Sequence, residues 1–522
     1  MNTPEIHRIA TPLLHDYLLD AARRFPDKVA LVARGERVTF PALEQRSREL
    51  AALLCARGVA RGDRVLVFGD NTIDTVVAFW SVLRNNAIVS VINPLTKADK
   101  LAYLMNDCQA AALITERSHL RVAAEAAARS RYLSTVVVSG EVDDETLASL
   151  PGGVRLRDAA IEHADEPRRR AIESDLAAII YTSGSTGDPR GVMHTHRSMI
   201  SAATSVSSYL QMSADDVVLC ALPLAFDYGL YQVIMAARVG ARLVLERSFA
   251  YPAQILRTMQ QEGVTGFPGV PTLFAMLGEL KSIWDSDWSH VRYVSNTAAA
   301  LSSKQIQFLA QVFPRARIYS MYGLTECKRC TYLPPQDLSR KPGSVGIAIP
   351  NTEMWLVDER DRRVGPGQVG QLVIRGPTVM RGYWGKAEAT SERLRPGPIP
   401  GEHVLYTGDL CRMDDDGYLF FVARMDDVIK SRGEKVAPKE VEQVLVNLPG
   451  VREAAVIGVP DEILGQAVKA FVVLESGRSV DGRELQRACQ ERLESFMVPK
   501  HFVFVDALPK TDTGKIKKTD LR

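Results

Sequence analysis

Several short segments carry residue types suited to chemistry. In IIYTSGSTGDPRGVMHTH, residues 179–196, a β-branched run leads into Ser, Thr and Gly residues and then Pro189. Small residues let backbone N–H groups approach phosphate oxygens closely, and hydroxyls add donors without bulk. A flexible linker of similar composition would not sit directly between a buried strand and an apolar helical run. The segment therefore reads as a phosphate loop. It lacks the GxxxxGK[ST] spacing of the Walker loop, and no GxGxxG follows a strand. Further carboxylates and cations stand in MYGLTE from 321, YTGDL from 406, ARMDDVIKSRGEKVAPKEVE from 423 and PKTDTGKIKK from 509. Cys327 and Cys330 form a CxxC, but no second pair or nearby His completes a zinc site.

The elements that must position these segments follow from periodicity. From Leu14 to about Glu116, helical runs such as ALEQRSRELAALLCARG alternate with β-rich runs such as RVLVFG and AIVSVIN, the pattern of strands joined by crossover helices. The polar stretch 162–175 separates this region from a second α/β run ending near Tyr332, which predicts subdomains of about 1–165 and 166–340. Between Gly343 and Val422 short alternating strands with Gly and Pro turns predict a small β unit, about 341–422. Beyond it KEVEQVLVNL places Val441, Val444, Leu445 and Leu448 on one helical stripe, and strands AAVIGV and AVKAFVVL follow. The expectation is an α/β protein: a large N-terminal domain, 1–424, of layered α/β subdomains plus the β unit, then a small mobile α+β domain, 425–522.

The motifs, in this order and approximate spacing, resemble the adenylate-forming superfamily of acyl-CoA synthetases, peptide-synthetase adenylation domains and luciferases, the AMP-dependent synthetases and ligases. The resemblance covers nearly the whole chain. It implies that ATP and a carboxylate react in line at the α-phosphorus with release of pyrophosphate, so the protein must position two anions and neutralise growing charge. By that resemblance Thr182, Ser183, Gly184, Ser185, Thr186, Gly187 and Arg190 hold the β- and γ-phosphates, Glu326 holds Mg²⁺ through oxygen ligation, and Thr325 touches the α-phosphate. Tyr322 packs on adenine opposite the backbone at Thr297, Ala298 and Ala299. Asp409 accepts hydrogen bonds from the ribose hydroxyls, assisted by Arg424. Lys515 bridges the carboxylate and the α-phosphate, stabilising transition-state charge. Asp426 is the hinge about which the small domain turns, and Lys430, Gly433, Glu434 and Lys435 line a thiol tunnel in the second pose.

This sequence departs from the family pattern at two positions. Arg190 stands where Lys is usual, keeping charge on a planar fork, and Ala423 replaces a Gly. The acyl pocket is expected near Phe226, Asp227, Gly229, Gly269, Ser295 and Met321. Asp227 either meets a cation, such as a substrate ammonium, or turns away, because an unpaired buried carboxylate is costly.

The leading expectation is an acyl-CoA synthetase using ATP, Mg²⁺ and CoA. The alternatives are a free-standing adenylation enzyme that loads the phosphopantetheine of a separate carrier protein, and an inactive nucleotide-binding scaffold. A chain of 522 residues, 46% hydrophobic and 24% charged, suits about two to four packing units. A net charge of +2 argues against a nucleic-acid partner and for small-molecule partners, which the resemblance makes a small carboxylic acid. Seven scattered cysteines suit a reducing cytoplasm. No leader pattern, membrane span or appended carrier module is expected, only seven residues following Lys515.

Overall fold

The computed structural model describes residues 13–160, 170–182, 189–297, 301–431, 434–461, 465–493, 495–511 and 516–521. Among them the chain forms four β-sheets. In spatial order, an eight-stranded sheet runs Gly382–Tyr383, Arg190–Thr195, Leu176–Thr182, Ile88–Ile92, Arg64–Phe68, Ala110–Glu116, Thr135–Ser139 and Val154–Arg155. A nine-stranded sheet runs Ile347–Ala348, Thr331–Leu333, Arg317–Tyr322, Tyr293–Asn296, Gly266–Gly269, Val217–Cys220, Arg242–Leu245, Val29–Ala33 and Glu36–Thr39. In the eight-stranded sheet the central strands are parallel and read as nearly continuous apolar runs because both faces are covered: every residue of Ile88–Ile92 and Thr135–Ser139 is buried. The helix Ile73–Arg84 is buried at every position but Asp74, and Thr72 caps it by accepting from the Thr75 N–H.

The two sheets do not follow the expected division at 162–175. Val29–Ala33 pairs in parallel with Arg242–Leu245, so the N-terminal hairpin completes the later sheet. Leu176–Thr182 pairs with Ile88–Ile92, so the strand leading into the Ser/Thr/Gly segment belongs to the earlier one. A polar connection marks where the chain reaches the surface, but pairing is decided by which apolar faces meet, and here they meet across the connection.

The β unit is Glu353–Val357, Val369–Arg375, His403–Met413 and Leu394–Pro396, with Leu419–Arg424 paired to His403–Met413. The last sheet is Glu434–Val436, Ile429–Ser431, Gly465–Leu474 and Val451–Asp461, with His501–Phe504 parallel to Gly465–Leu474. The helix Pro438–Val446 lays Val441 and Leu445 into a separate core with Val456, Val472 and Leu485, and Leu448 joins them just past the helix end. No helix of the described residues is long and apolar enough to cross a membrane.

Candidate functional site

In the nine-stranded sheet the expected residues gather at the carboxyl ends of parallel strands, where open α/β sheets leave a crevice. Gly269, Asn296 and Tyr322 close the strands Gly266–Gly269, Tyr293–Asn296 and Arg317–Tyr322, and Thr297 follows the second, buried. The chain leaving Val217–Cys220 reaches Phe226, which precedes the helix Asp227–Val239. A carboxylate in that first turn is favoured by the helix dipole.

The β unit brings Asp409 to Tyr322. The Tyr322 hydroxyl donates to Asp409 Oδ2, and Arg424, paired in register with Asp409, places its Nε 3.0 Å from Oδ1. Asp409 is 1% exposed. Burial raises its carboxyl above the ordinary range, against the opposing pull of Arg424 and the Tyr322 hydrogen bond. The contact between Arg424 and Oδ1 is ionic and leaves Oδ1 without a hydrogen bond.

Glu326 is held by Tyr383, whose hydroxyl donates to Oε1 at 2.7 Å, and the Glu326 carbonyl accepts from the Met380 N–H at 2.7 Å. Tyr383 reaches this position because Gly382–Tyr383 pairs with Arg190–Thr195 in the register Tyr383↔Val192. The Arg190 guanidinium lies 5.6 Å from the Tyr383 ring centroid. Thr182 and Arg190 themselves are directly paired across the two strands flanking the Ser/Thr/Gly segment. The Thr325 carbonyl accepts from His194 Nε2 at 2.9 Å. Burial, reinforced by Lys328, holds His194 well below its usual pKa, so the ring is neutral with its proton on Nε2. Tyr383 and His194 were not singled out from the sequence; the aromatic in RGYWG and the His in VMHTH were the available signals.

Among the expected pocket positions, Asp227 and Met321 line a narrow cavity of about 10 Å³, room for about one water, with Tyr231, Met235, Lys328 and Arg329. Asp227 meets a cation of the chain itself, Arg329, at 3.6 Å. Ser295 is buried and anchors Tyr228, whose hydroxyl lies 2.8 Å from the Ser295 carbonyl and 2.9 Å from its Oγ. Gly229 and Gly269 serve close packing: a Cβ on Gly229 would stand 2.3 Å from the Pro223 carbonyl, and one on Gly269 2.6 Å from the Phe274 ring. Phe226 lies outside this lining, at the N-terminal end of the helix.

Met425–Asp427 forms one 3-10 turn containing the expected hinge, and the strands Ile429–Ser431 and Glu434–Val436 pair as Lys430↔Lys435 and Ser431↔Glu434, with Glu434 exposed. Lys439, on the next helix, sets its ammonium 4.7 Å from the Phe421 ring centroid, and burial lowers its pKa. Around the C-terminal motif Lys510, Lys517 and Lys518 pair with Glu453, Asp520 and Glu442 at 2.7, 2.8 and 2.6 Å. Ser183, Gly184, Ser185, Thr186, Gly187, Ala298, Ala299, Gly433 and Lys515 lie outside the described residues, as do the side chains of Asp426, Lys430 and Lys435. Cys327 and Cys330 are buried free thiols that share a hydrogen bond, their Sγ atoms 3.1 Å apart.

The long-chain-fatty-acid–CoA ligase of Salmonella typhimurium is 32% identical over 530 residues, covering 96% of this chain and 92% of its own. The 4-coumarate–CoA ligase 2 of Nicotiana tabacum is 31% identical over 524 residues, covering 98% and 94%. ATP-bound MatB from Rhodopseudomonas palustris superposes with a TM-score of 0.86 at 28% identity, covering 97% of this chain and 98% of that one. Family models match at residues 18–384 for the AMP-binding enzyme and 440–515 for the AMP-binding enzyme C-terminal domain, so the chain belongs to the AMP-binding enzymes and is an AMP-forming acid–thiol ligase.

Proposed function

We propose that the protein joins a carboxylic acid to CoA in two half-reactions. The carboxylate first attacks the α-phosphorus of ATP, forming acyl-adenylate and releasing pyrophosphate; the CoA thiol then takes the acyl group and AMP leaves. The observation that carries this reading is the convergence of separated motifs on one cluster, in which Tyr322 bonds Asp409, Tyr383 bonds Glu326, and His194 bonds the Thr325 carbonyl.

In this scheme Asp409 accepts from the ribose hydroxyls, Oδ1 lacking any hydrogen bond of its own. Tyr322 and Thr297 flank the adenine. Thr182, Arg190 and the loop between them hold the phosphates. Glu326 is a single oriented carboxylate, which fits Mg²⁺, an ion that takes one or two carboxylates and otherwise keeps water and phosphate oxygens. Mg²⁺ there would neutralise charge on the phosphates. Lys515 supplies the cation at the reacting carboxylate; its neighbours Lys510, Lys517 and Lys518 are each committed to a carboxylate. Because Asp227 is occupied by Arg329, an acyl or aryl acid is favoured over an amino acid.

The test is ATP–pyrophosphate exchange against fatty, aryl and amino acids, with Lys515→Ala as control, followed by CoA addition to the best acid. Exchange should fall at least about a hundredfold in the variant, and a thioester should form with CoA. Exchange without a CoA thioester would transfer the acceptor role to a carrier protein. Exchange with no acid would reject the reading.

A further inference from the structure

Lys439 stands where its own helix does not favour it. It is the second residue of Pro438–Val446, at the end whose unpaired N–H groups carry partial positive charge, so the helix dipole opposes a cation there. Glu442, one turn on, is the local carboxylate within reach. Its Oε1 is already held by Lys518 at 2.6 Å and by the Val456 N–H at 2.8 Å. A charge set against a local rule points to a gain made elsewhere in the fold.

That gain crosses from the small domain to the β unit. The helix Pro438–Val446 packs against the strand Leu419–Arg424, and the Lys439 ammonium sits 4.7 Å from the centroid of the Phe421 ring. Phe421 stands opposite Cys411, two residues beyond Asp409 on the neighbouring strand, and its ring lies 6.1 Å from that of Tyr322, the donor to Asp409. Burial works against the charge on Lys439, as does Lys518, while Glu442 and Asp409 support it. The apolar stem of the lysine and the face of the ring add to that support. Two further features characterise the pose in which this contact is made. Lys518, three residues after Lys515 in the chain, is held by Glu442 on the same face of the helix as Lys439, so the C-terminal motif approaches the side of the small domain that meets the β unit. Glu434, of the loop expected to line the thiol tunnel, is exposed.

We propose that Lys439 is a positioning residue for adenylate formation: its contact with Phe421 holds the small domain in the pose that presents the C-terminal motif to the ATP site, and the contact breaks when the domain turns for thioester formation. The inference rests on the two-step ligase reading above. A contact made in one pose alone stabilises that pose alone, so it acts on one half-reaction and not on the other. A cation over an aromatic face shifts such an equilibrium by a factor of about two to thirty.

The experiment separates the half-reactions in the wild-type protein, Lys439→Ala, Lys439→Arg and Phe421→Leu. ATP–pyrophosphate exchange with the best acid of the panel reads the first, and single-turnover thioester formation from the synthetic adenylate of that acid and CoA reads the second. Lys439→Ala should lower exchange about five- to thirtyfold and leave the second rate within about twofold, and Lys439→Arg should restore exchange to within about threefold of wild type. Because the two residues act through one contact, adding Lys439→Ala to Phe421→Leu should lower exchange by less than about twofold more. Equal losses in both half-reactions would overturn the inference, assigning Lys439 to the folding of its helix, and so would exchange unmoved by Lys439→Ala. A full additional loss in the Phe421→Leu background would also overturn it, separating the cation from the ring. Each of these results leaves the ligase standing; absence of exchange by the wild type with any acid would overturn the ligase reading and this one together.

Discussion

Lys328 has a folded-state pKa of about 7 against an ordinary 10.5, so between these values the folded protein binds fewer protons than the unfolded chain. Stability conferred by removing that proton therefore rises with pH across this window, and the full cost of burying the charge applies below about pH 7. Lys328→Met should stabilise the ligand-free protein by about 1–4 kcal/mol near pH 6, with the gain shrinking toward pH 10. Urea unfolding at the two extremes measures it, and a gain that ignores pH would contradict a buried titrating ammonium. Tyr383 acts on Glu326 through one hydrogen bond to a carboxylate, worth about 1.5–3 kcal/mol. Tyr383→Phe should lower exchange by about ten- to hundredfold and raise the Mg²⁺ concentration needed for half-maximal rate. A rate loss with an unmoved Mg²⁺ titration would separate Tyr383 from the metal.

Among the elements, the helix Asp227–Val239 is seated by the absence of a side chain at Gly229. A methyl there would meet the Pro223 carbonyl at 2.3 Å and the Leu222 carbonyl at 2.7 Å, both rigid backbone. Gly229→Ala should cost about 1–3 kcal/mol in chemical denaturation and raise KM for the acid, because the helix that carries Asp227 and Tyr231 must shift outward. An unchanged KM would detach the helix from substrate binding. Much at this scale was legible in the sequence. The β unit, the helix with Val441 and Leu445, and the strand leading to Thr182 all announce themselves by local periodicity and turn residues. The contributions of Tyr383 and His194 were not legible, since each acts through a partner far along the chain: Tyr383 arrives by pairing with Val192, and His194 lies under Thr325. The same reason hid Lys328 and Arg329, which in isolation are ordinary polar residues after a motif; only folding buries them against the helix Asp227–Val239. The boundary drawn at 162–175 failed where local polarity was taken to indicate separate sheets.

At the scale of the molecule, the segment from Arg424 to Ile429 links the β unit to the last sheet through the single turn Met425–Asp427. A proline at 426 would fix its own φ and bar Met425 from helical geometry. If each half-reaction uses a different pose of the small domain, as we propose, Asp426→Pro should affect pyrophosphate exchange and thioester formation by factors at least about tenfold apart. Equal losses would refute a hinge at this position.

The crossing of strands between the two large sheets has a consequence for how the protein is made. Val29–Ala33 is an apolar strand whose parallel partner, Arg242–Leu245, is translated some two hundred residues later. At about 5–20 residues per second, the N-terminal strand waits roughly ten to forty seconds outside the ribosome with one edge unpaired. The earlier sheet waits longer still for Gly382–Tyr383. Among the described residues, no stretch of nascent chain short of Ile347–Ala348 contains a finished large sheet, so vectorial synthesis delivers neither half of the large domain as a unit able to fold early. The growing polypeptide depends on whatever shields a sticky edge during that interval, and a ribosome stalled before Arg242 would release a fragment disposed to aggregate through VALVA.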